Sequence, residues 1–286
     1  MDYDVLSDLE LIKMFLNCSD SFLADSLHVS RSTLNRWVFG ESSVSRRNLE
    51  AIYSFAYKKG IQINKIKAQF FEEDTTQENR VLLFHGAKAE IVGPLDLSHS
   101  KAKNDMGNGF YCGQKLEQSC MYSAGYPDGS VYIFSADLSG LKGVTLSVDE
   151  EWMLGIAYYR GRLDRYAKAK KIINIREKIE TSDYVIAPIA DNKMFSLINN
   201  FVDGELTNEQ CKHCLSSTDL GNQYVFKTEK ALSRLKPLAR LYLCEKERDD
   251  YLQGREESTR IGNDKVKVAR MKYAGKGEYI DAILGD

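Results

Sequence analysis

Two short stretches of this 286-residue chain place hydrogen-bonding and planar side chains next to glycine, and they are its best candidates for chemistry. His85-Gly86 directly follows the apolar run Val81-Leu82-Leu83-Phe84, and Asp105-Met106-Gly107-Asn108-Gly109-Phe110-Tyr111 comes shortly after. A histidine at a strand end, beside a glycine that lets a ligand reach the backbone, suits a hydrogen bond to a ribose or an amide. A glycine-flanked Phe-Tyr pair on a second short strand offers a flat face to a planar ring. Each also has an ordinary reading, His85 as a turn residue and Phe110-Tyr111 as core. Cys211-Lys212-His213-Cys214 carries three soft ligands, but a structural zinc site needs a fourth and normally a second knuckle. His28 and His99 lie far off in sequence, so no metal is expected. Without a P-loop, a His-Glu-x-x-His pair or a Gly-x-Ser-x-Gly elbow, the commonest nucleotide-hydrolase, zinc-protease and esterase chemistries drop out.

These residues need a scaffold, and the composition supplies one. With 39 Lys+Arg against 41 Asp+Glu and 43% hydrophobic residues, the chain has core material for one large domain or two. No apolar run reaches the ~18–20 residues of a membrane span, and the acidic start is unlike a secretory signal. The six cysteines have no regular spacing and read as reduced thiols. The expectation is a cytoplasmic protein with no membrane partner.

Charge and hydropathy divide the chain. Residues 8–60 are helical by pattern and set residues 1–71 apart as a first domain, and residues 72–79, without one apolar residue, read as a polar linker. Residues 80–244 alternate short β-branched and aromatic runs (Val81–Phe84, Val131–Phe134, Tyr184–Ile186, Tyr224–Phe226, Leu241–Leu243) with helical stretches, giving an α+β body. Residues 245–286 are densely charged and read as a solvated tail, or an arm that orders on a partner. The net charge of −2 is a sum over unlike parts, because residues 31–67 carry eight bases and only two acids.

In that basic stretch Ser30 can cap a helix whose Leu34 and Trp37 face inward, with Val29 and Leu34 as a hydrophobic staple. Arg31, Ser32, Asn35 and Arg36 then point outward. Two short helices joined by a tight turn, the second exposing Arg, Ser and Asn, suit base edges and phosphates in a major groove. The run "LADSLHVSRSTLNRWVFG" (residues 23–40) resembles the repressor-type helix-turn-helix family, which implies DNA as a partner and binding as a dimer or with a second protein. A helical interaction module with a solvated basic face is the alternative.

Four stretches, "LFHGA", "DMGNGFYCG", "SDYVIAPIADNKMF" and "NQYVFKTEKALSRL", resemble in this order and spacing a bacterial toxin-like family of the ADP-ribosyltransferase superfamily, in its His-Tyr-Glu class. The likeness covers roughly residues 80–244. It implies a split, strongly bent β-sheet with NAD, as substrate, in a cleft between the two halves. By the resemblance, His85 bonds the adenine-side ribose, the Gly86 backbone holds the carboxamide, Tyr111 stacks on nicotinamide and Phe110 packs behind it. Asp105 positions the glycine loop, and Asp191 is a second acidic position at the dinucleotide.

The class places a glutamate at the start of a late strand, where its carboxylate grips the nicotinamide ribose. Here that residue is Gln223, which can bond a hydroxyl but supplies no fixed charge to the developing cation. Three accounts follow: the amide suffices, which is favoured; Glu229, Glu150 or Glu151 provides the carboxylate; or NAD binds without turnover. Glu229 has an ordinary role as the acid of a helix's first turn. Between the motifs, eight bases from Arg160 to Lys178 face only Asp164 and Glu177, and read as a solvated helix face or a docking surface for an acidic target. The resulting expectation is an ADP-ribosyltransferase with His85, Tyr111 and Gln223 as catalytic residues. It would be the toxin of a toxin–antitoxin or phage-defence locus, with a small antitoxin protein as partner and a protein or nucleic-acid target. An NAD glycohydrolase and an NAD- or ADP-ribose-sensing transcription regulator are the alternatives.

Overall fold

The computed structural model describes residues 2–77, 80–98, 100, 103–216 and 221–285, and the side chains of these except residues 77, 258 and 261. His99 and the last two linker positions, Glu78 and Asn79, lie outside the described residues.

The chain opens with five helices: α1 (Val5–Leu16), α2 (Asp20–Ser26), α3 (Arg31–Val38), α4 (Arg46–Lys58) and α5 (Ile63–Gln77). Strand β1 (Val81–Ala87), β2 (Phe110–Gly113), helix α6 (Leu116–Ala124), β3 (Ser130–Ala136) and β4 (Gly143–Thr145) follow. Next come α7 (Glu150–Tyr159), a 3-10 turn (Asp164–Tyr166), α8 (Lys170–Glu180), β5 (Tyr184–Pro188), α9 (Asn192–Val202) and α10 (Asn208–Ser216). The chain ends with β6 (Asn222–Phe226), α11 (Glu229–Leu232), β7 (Leu235–Leu241), α12 (Glu245–Lys272) and α13 (Ile280–Leu284). The α+β class expected from the sequence is what the chain adopts, with helices first.

Two compact units emerge, each built from separate segments: residues 1–93, 116–136 and 236–255 in the first, and 94–115, 137–235 and 256–286 in the second. The division therefore does not fall in the stretch 72–79, whose residues 72–77 continue α5 with Thr75 buried.

In the first unit, local signals shape the helices. The Ser19 hydroxyl accepts from Phe22 N at 3.2 Å and the Ser30 hydroxyl from Thr33 N at 3.1 Å, so α2 and α3 are each capped at the start. Leu34 and Trp37 turn into a core with Leu9, Ile12, Leu23, Leu49 and Ile52, and Val29 packs against its edge. Arg31, Ser32, Asn35 and Arg36 are exposed, as their spacing requires. Strands β1, β3 and β7 lie side by side in that order. β1 and β3 are antiparallel, with His85 opposite Tyr132. The run expected as a strand at Leu241–Leu243 is the end of β7 and its exit: Tyr242 and Cys244 join the helical core and Leu243 packs beneath the strands.

In the second unit the strand order is β4-β5-β6-β2. β4 and β5 are parallel, whereas β6 runs antiparallel to both β5 and β2. One core joins Val185 and Val225 of the strands to Trp152, Ile156, Ile175, Ile198 and Phe201 of the helices.

The charged stretch 245–286 is not a solvated tail. It forms α12 and α13, and it buries Val266, Ala269, Ile280 and Leu284 in the second unit's core. In the first unit Glu247 is buried as well. Its carboxylate accepts from Asn64 Nδ2 at 2.9 Å, and burial pushes its pKa up to about 7.

Candidate functional site

The second unit gathers polar side chains on one face of its strands. Tyr111 lies opposite Val225, and Gly113 opposite Gln223, in the antiparallel β2–β6 pair. Residues directly opposite share a face, so Tyr111, Gln223, Val225 and, two positions on, Lys227 all project to the same side. Phe110, opposite Phe226, projects to the other face of the strand pair.

The loop Asp105–Gly109 is pinned to this face at several points. The Tyr111 hydroxyl donates to Gly107 O at 2.6 Å and accepts from Met106 N at 3.1 Å. Lys227 Nζ donates to Met106 O at 2.5 Å, and Ser100 Oγ accepts from Gly109 N at 3.0 Å. Gly107 has φ +72°, and a Cβ there would sit 2.8 Å from the Tyr159 ring, so both conformation and space demand glycine. Burial pushes the Tyr111 hydroxyl well above the ordinary tyrosine range, so it stays protonated and able to donate. Burial also pulls the Lys227 ammonium down to about 8.

At the centre stands a network of three side chains. Gln223 is 7% exposed, and its Nε2 donates to Asp105 Oδ2 at 3.0 Å and to Pro188 O at 3.3 Å. The other oxygen of Asp105 accepts from Arg160 Nε at 2.8 Å and also from Arg160 Nη2. Arg160 Nη2 further donates to Ala190 O at 3.0 Å, and its guanidinium lies 4.2 Å from the centroid of the Phe195 ring. The structure thus brings Asp105, Tyr111 and Gln223 together around one loop. Asp191 sits one residue past the carbonyl that Arg160 holds, where its own carboxylate caps α9 by accepting from Met194 N at 2.8 Å.

His85 and Gly86 belong to β1 of the first unit. A Cβ at Gly86 would come within 2.6 Å of Ser119 O and 2.9 Å of Ser123 Oγ, so α6 occupies the side-chain face there. The glycine serves that close helix packing.

None of the three glutamates considered as substitutes bonds to Gln223. Glu229 is exposed in the first turn of α11, behind the Thr228 cap. Glu150 accepts from Lys171 at 2.8 Å and from Asn208 at 2.8 Å; burial opposes its ionisation, but these bonds outweigh it and hold the carboxyl below its ordinary value. Glu151 accepts from Lys178 at 2.7 Å. The carboxylate beside Gln223 is Asp105.

The basic stretch from Arg160 to Lys178 is not an unopposed positive face. Folding adds carboxylates from other segments, Asp105 for Arg160, Asp203 for Arg162, Asp281 for Arg165, Glu150 for Lys171 and Glu151 for Lys178, and Glu180 pairs with Arg176 one turn on in α8. Cys211 and Cys214 are buried, and burial raises both thiols. Among the described residues no group of three or more His, Cys, Asp or Glu side chains is placed to hold a metal.

Sequence reasoning missed Arg160 and Lys227 as parts of this site. Arg160 stood out only as one of a run of bases, and nothing local marks it as the partner of a residue 55 positions earlier. The fold and site define a mixed α+β protein whose glycine loop is clamped to a strand face by a buried Gln-Asp-Arg network. By its sequence the chain belongs to the family described as "Protein of unknown function (DUF3990)", matched over residues 81–236. No curated protein and no solved structure matches it. Among the described residues no helix is long and apolar enough to cross a membrane.

Proposed function

We propose that this protein is an NAD-dependent ADP-ribosyltransferase acting in the cytoplasm, the toxin of a toxin–antitoxin or phage-defence pair, restrained by a small antitoxin protein. The observation that carries this reading is the shared face of Tyr111 and Gln223 on neighbouring strands, both tied to the Asp105–Gly109 loop. A ring and an amide held rigidly on one face match the two tasks the reading requires: a flat surface for nicotinamide, and an acceptor for a hydroxyl of the adjoining ribose. The sequence resemblance alone assigns His85 and the Gly86 backbone to the adenine-side ribose and the carboxamide, and Asp191 to an acidic position of the family's pattern. The glycosidic bond then loosens toward an oxocarbenium-like state, and a nucleophile on a macromolecular target attacks the exposed carbon. The chain's contribution is positioning and electrostatics.

Incubating the full-length protein with NAD labelled in the adenylate half, in the presence of cell extract, tests the reading. Label on protein or nucleic acid together with released nicotinamide supports it. Nicotinamide release with no label on macromolecules makes the protein a glycohydrolase, and retention of intact NAD makes it a sensor.

The exposed face of α3 supports a second activity, DNA binding through a helix-turn-helix, because Arg31, Asn35 and Arg36 stand clear of a core that holds the helix. Asn35→Ala with Arg36→Ala is expected to weaken retention of the protein's own promoter in a gel shift and to lower the salt slope by about 1, for the lost phosphate contact. Unchanged retention would reduce this face to a solvated surface.

A further inference from the structure

We propose that Asp105 and Arg160 are positioning residues that hold the Gln223 amide in a single orientation, Nε2 inward and Oε1 available as an acceptor for a sugar hydroxyl. This inference rests on the NAD reading above. Both groups facing Nε2, Asp105 Oδ2 at 3.0 Å and Pro188 O at 3.3 Å, can only accept hydrogen bonds. Turning the amide over would set its oxygen against a carboxylate and a carbonyl, at a residue 7% exposed where little water can relieve the repulsion. Asp105 cannot turn away, because its other oxygen is held by Arg160. Arg160 is fixed in turn by the Ala190 carbonyl and the Phe195 ring. An amide whose N–H donates to a carboxylate is also polarised, with more negative charge on its oxygen. Gln223 thus acts as a directed acceptor, and the charge that the class carries at this position sits one hydrogen bond away, on Asp105.

The arrangement explains why a glutamine stands here. A glutamate at 223 would bring two carboxylates to hydrogen-bond distance, and the pair would be tolerated only while it kept a proton. The substitution that restores the class residue is therefore expected to harm this protein.

The test measures NAD cleavage and thermal unfolding from pH 5 to 9 for the full-length protein and the variants Gln223→Glu, Asp105→Asn and Arg160→Lys. Asp105→Asn keeps the side chain's size but no longer dictates which way the amide points. It is expected to lower kcat about tenfold, the equivalent of one directed hydrogen bond, with little change in KM. Arg160→Lys should lower kcat in the same direction. In Gln223→Glu, both kcat and the melting temperature should fall relative to wild type as pH rises from 5 to 8. The folded state holds a shared proton that the unfolded state releases, so stability drops with increasing pH. An active wild type with unchanged kcat in Asp105→Asn, or with Gln223→Glu as active as wild type at every pH, overturns the positioning role alone. An inactive wild type sinks the NAD reading and the sugar-acceptor role with it. The melting pattern then reports separately whether Asp105 and Gln223 are coupled, and a pH-independent difference would show they are not.

Discussion

Tyr111→Ala is expected to lower NAD cleavage by about two to four orders of magnitude while leaving the first unit's helices intact. The ring offers a stacking surface worth ~1–3 kcal/mol, and its hydroxyl makes two hydrogen bonds to the Met106–Gly107 backbone worth ~1 kcal/mol each. Together these amount to ~3–5 kcal/mol, on the order of 10²–10⁴ in rate if they are expressed in the transition state. Tyr111→Phe separates the two parts. It keeps the ring and loses both bonds, so the loop that carries Asp105 loosens and roughly a tenfold to thirtyfold loss is expected. Because burial holds the hydroxyl protonated, wild type should show no titration from this group up to pH 10. Steady-state nicotinamide release measures all three proteins. Wild-type rates in Tyr111→Ala would remove the ring from the reaction and with it the proposed site.

Lys67→Met is expected to cost about 3–5 kcal/mol of stability, more than any surface change, because it strands a buried charge. Asp8 of α1 is 1% exposed, and Lys67 of α5 is 6% exposed, with Nζ 2.7 Å from Asp8 Oδ1. The Tyr53 hydroxyl of α4 donates to the other carboxylate oxygen, so three helices meet at one ion pair. Burial pushes the Asp8 carboxyl above its ordinary value, and Lys67 is the chief opposing influence. Without Lys67 the folded state takes up a proton that the unfolded chain at neutral pH does not hold. Stability of the variant therefore rises as pH falls, and its deficit is largest at pH 8 and smaller at pH 5. Adding Asp8→Asn should recover much of the loss, since neither group then carries an uncompensated charge. Urea unfolding at the two pH values checks this, and a deficit below about 1 kcal/mol at pH 8 would mean the pair contributes no more than a surface bridge.

Features encoded by neighbours in the chain are legible in the sequence alone. The Ser30 cap, the inward Leu34 and Trp37, and the exposed Arg31, Ser32, Asn35 and Arg36 follow from helical spacing and a hydroxyl within reach of an N–H three residues on. Strands β1, β3, β5 and β6 announced themselves as short β-branched and aromatic runs. β7 did not, because Lys236 and Pro237 break its apolar pattern. As the last strand beside β3 it tolerates a proline that a central strand would exclude.

The polar stretch 72–77 and the charged stretch 245–286 depart from what their composition suggests for a related reason. Polarity suggests irregularity, whereas residues 72–77 extend α5, and the second half of α12 seats Val266 and Ala269, three positions apart, in the second unit's core. Helices of this kind draw their stability from packing more than from their own pattern.

The sequence by itself determined which side chains could do chemistry, His85, Tyr111, Asp105 and Gln223, and the local elements that carry them. Only the tertiary structure decided their partners. A hydrogen bond between residues 55 or 118 positions apart depends on which strands become neighbours, and no local spacing encodes that choice. The fold made Asp105 the carboxylate beside Gln223, drew Arg160 out of a seemingly basic surface to hold it, and matched most of the remaining bases with acids from distant segments.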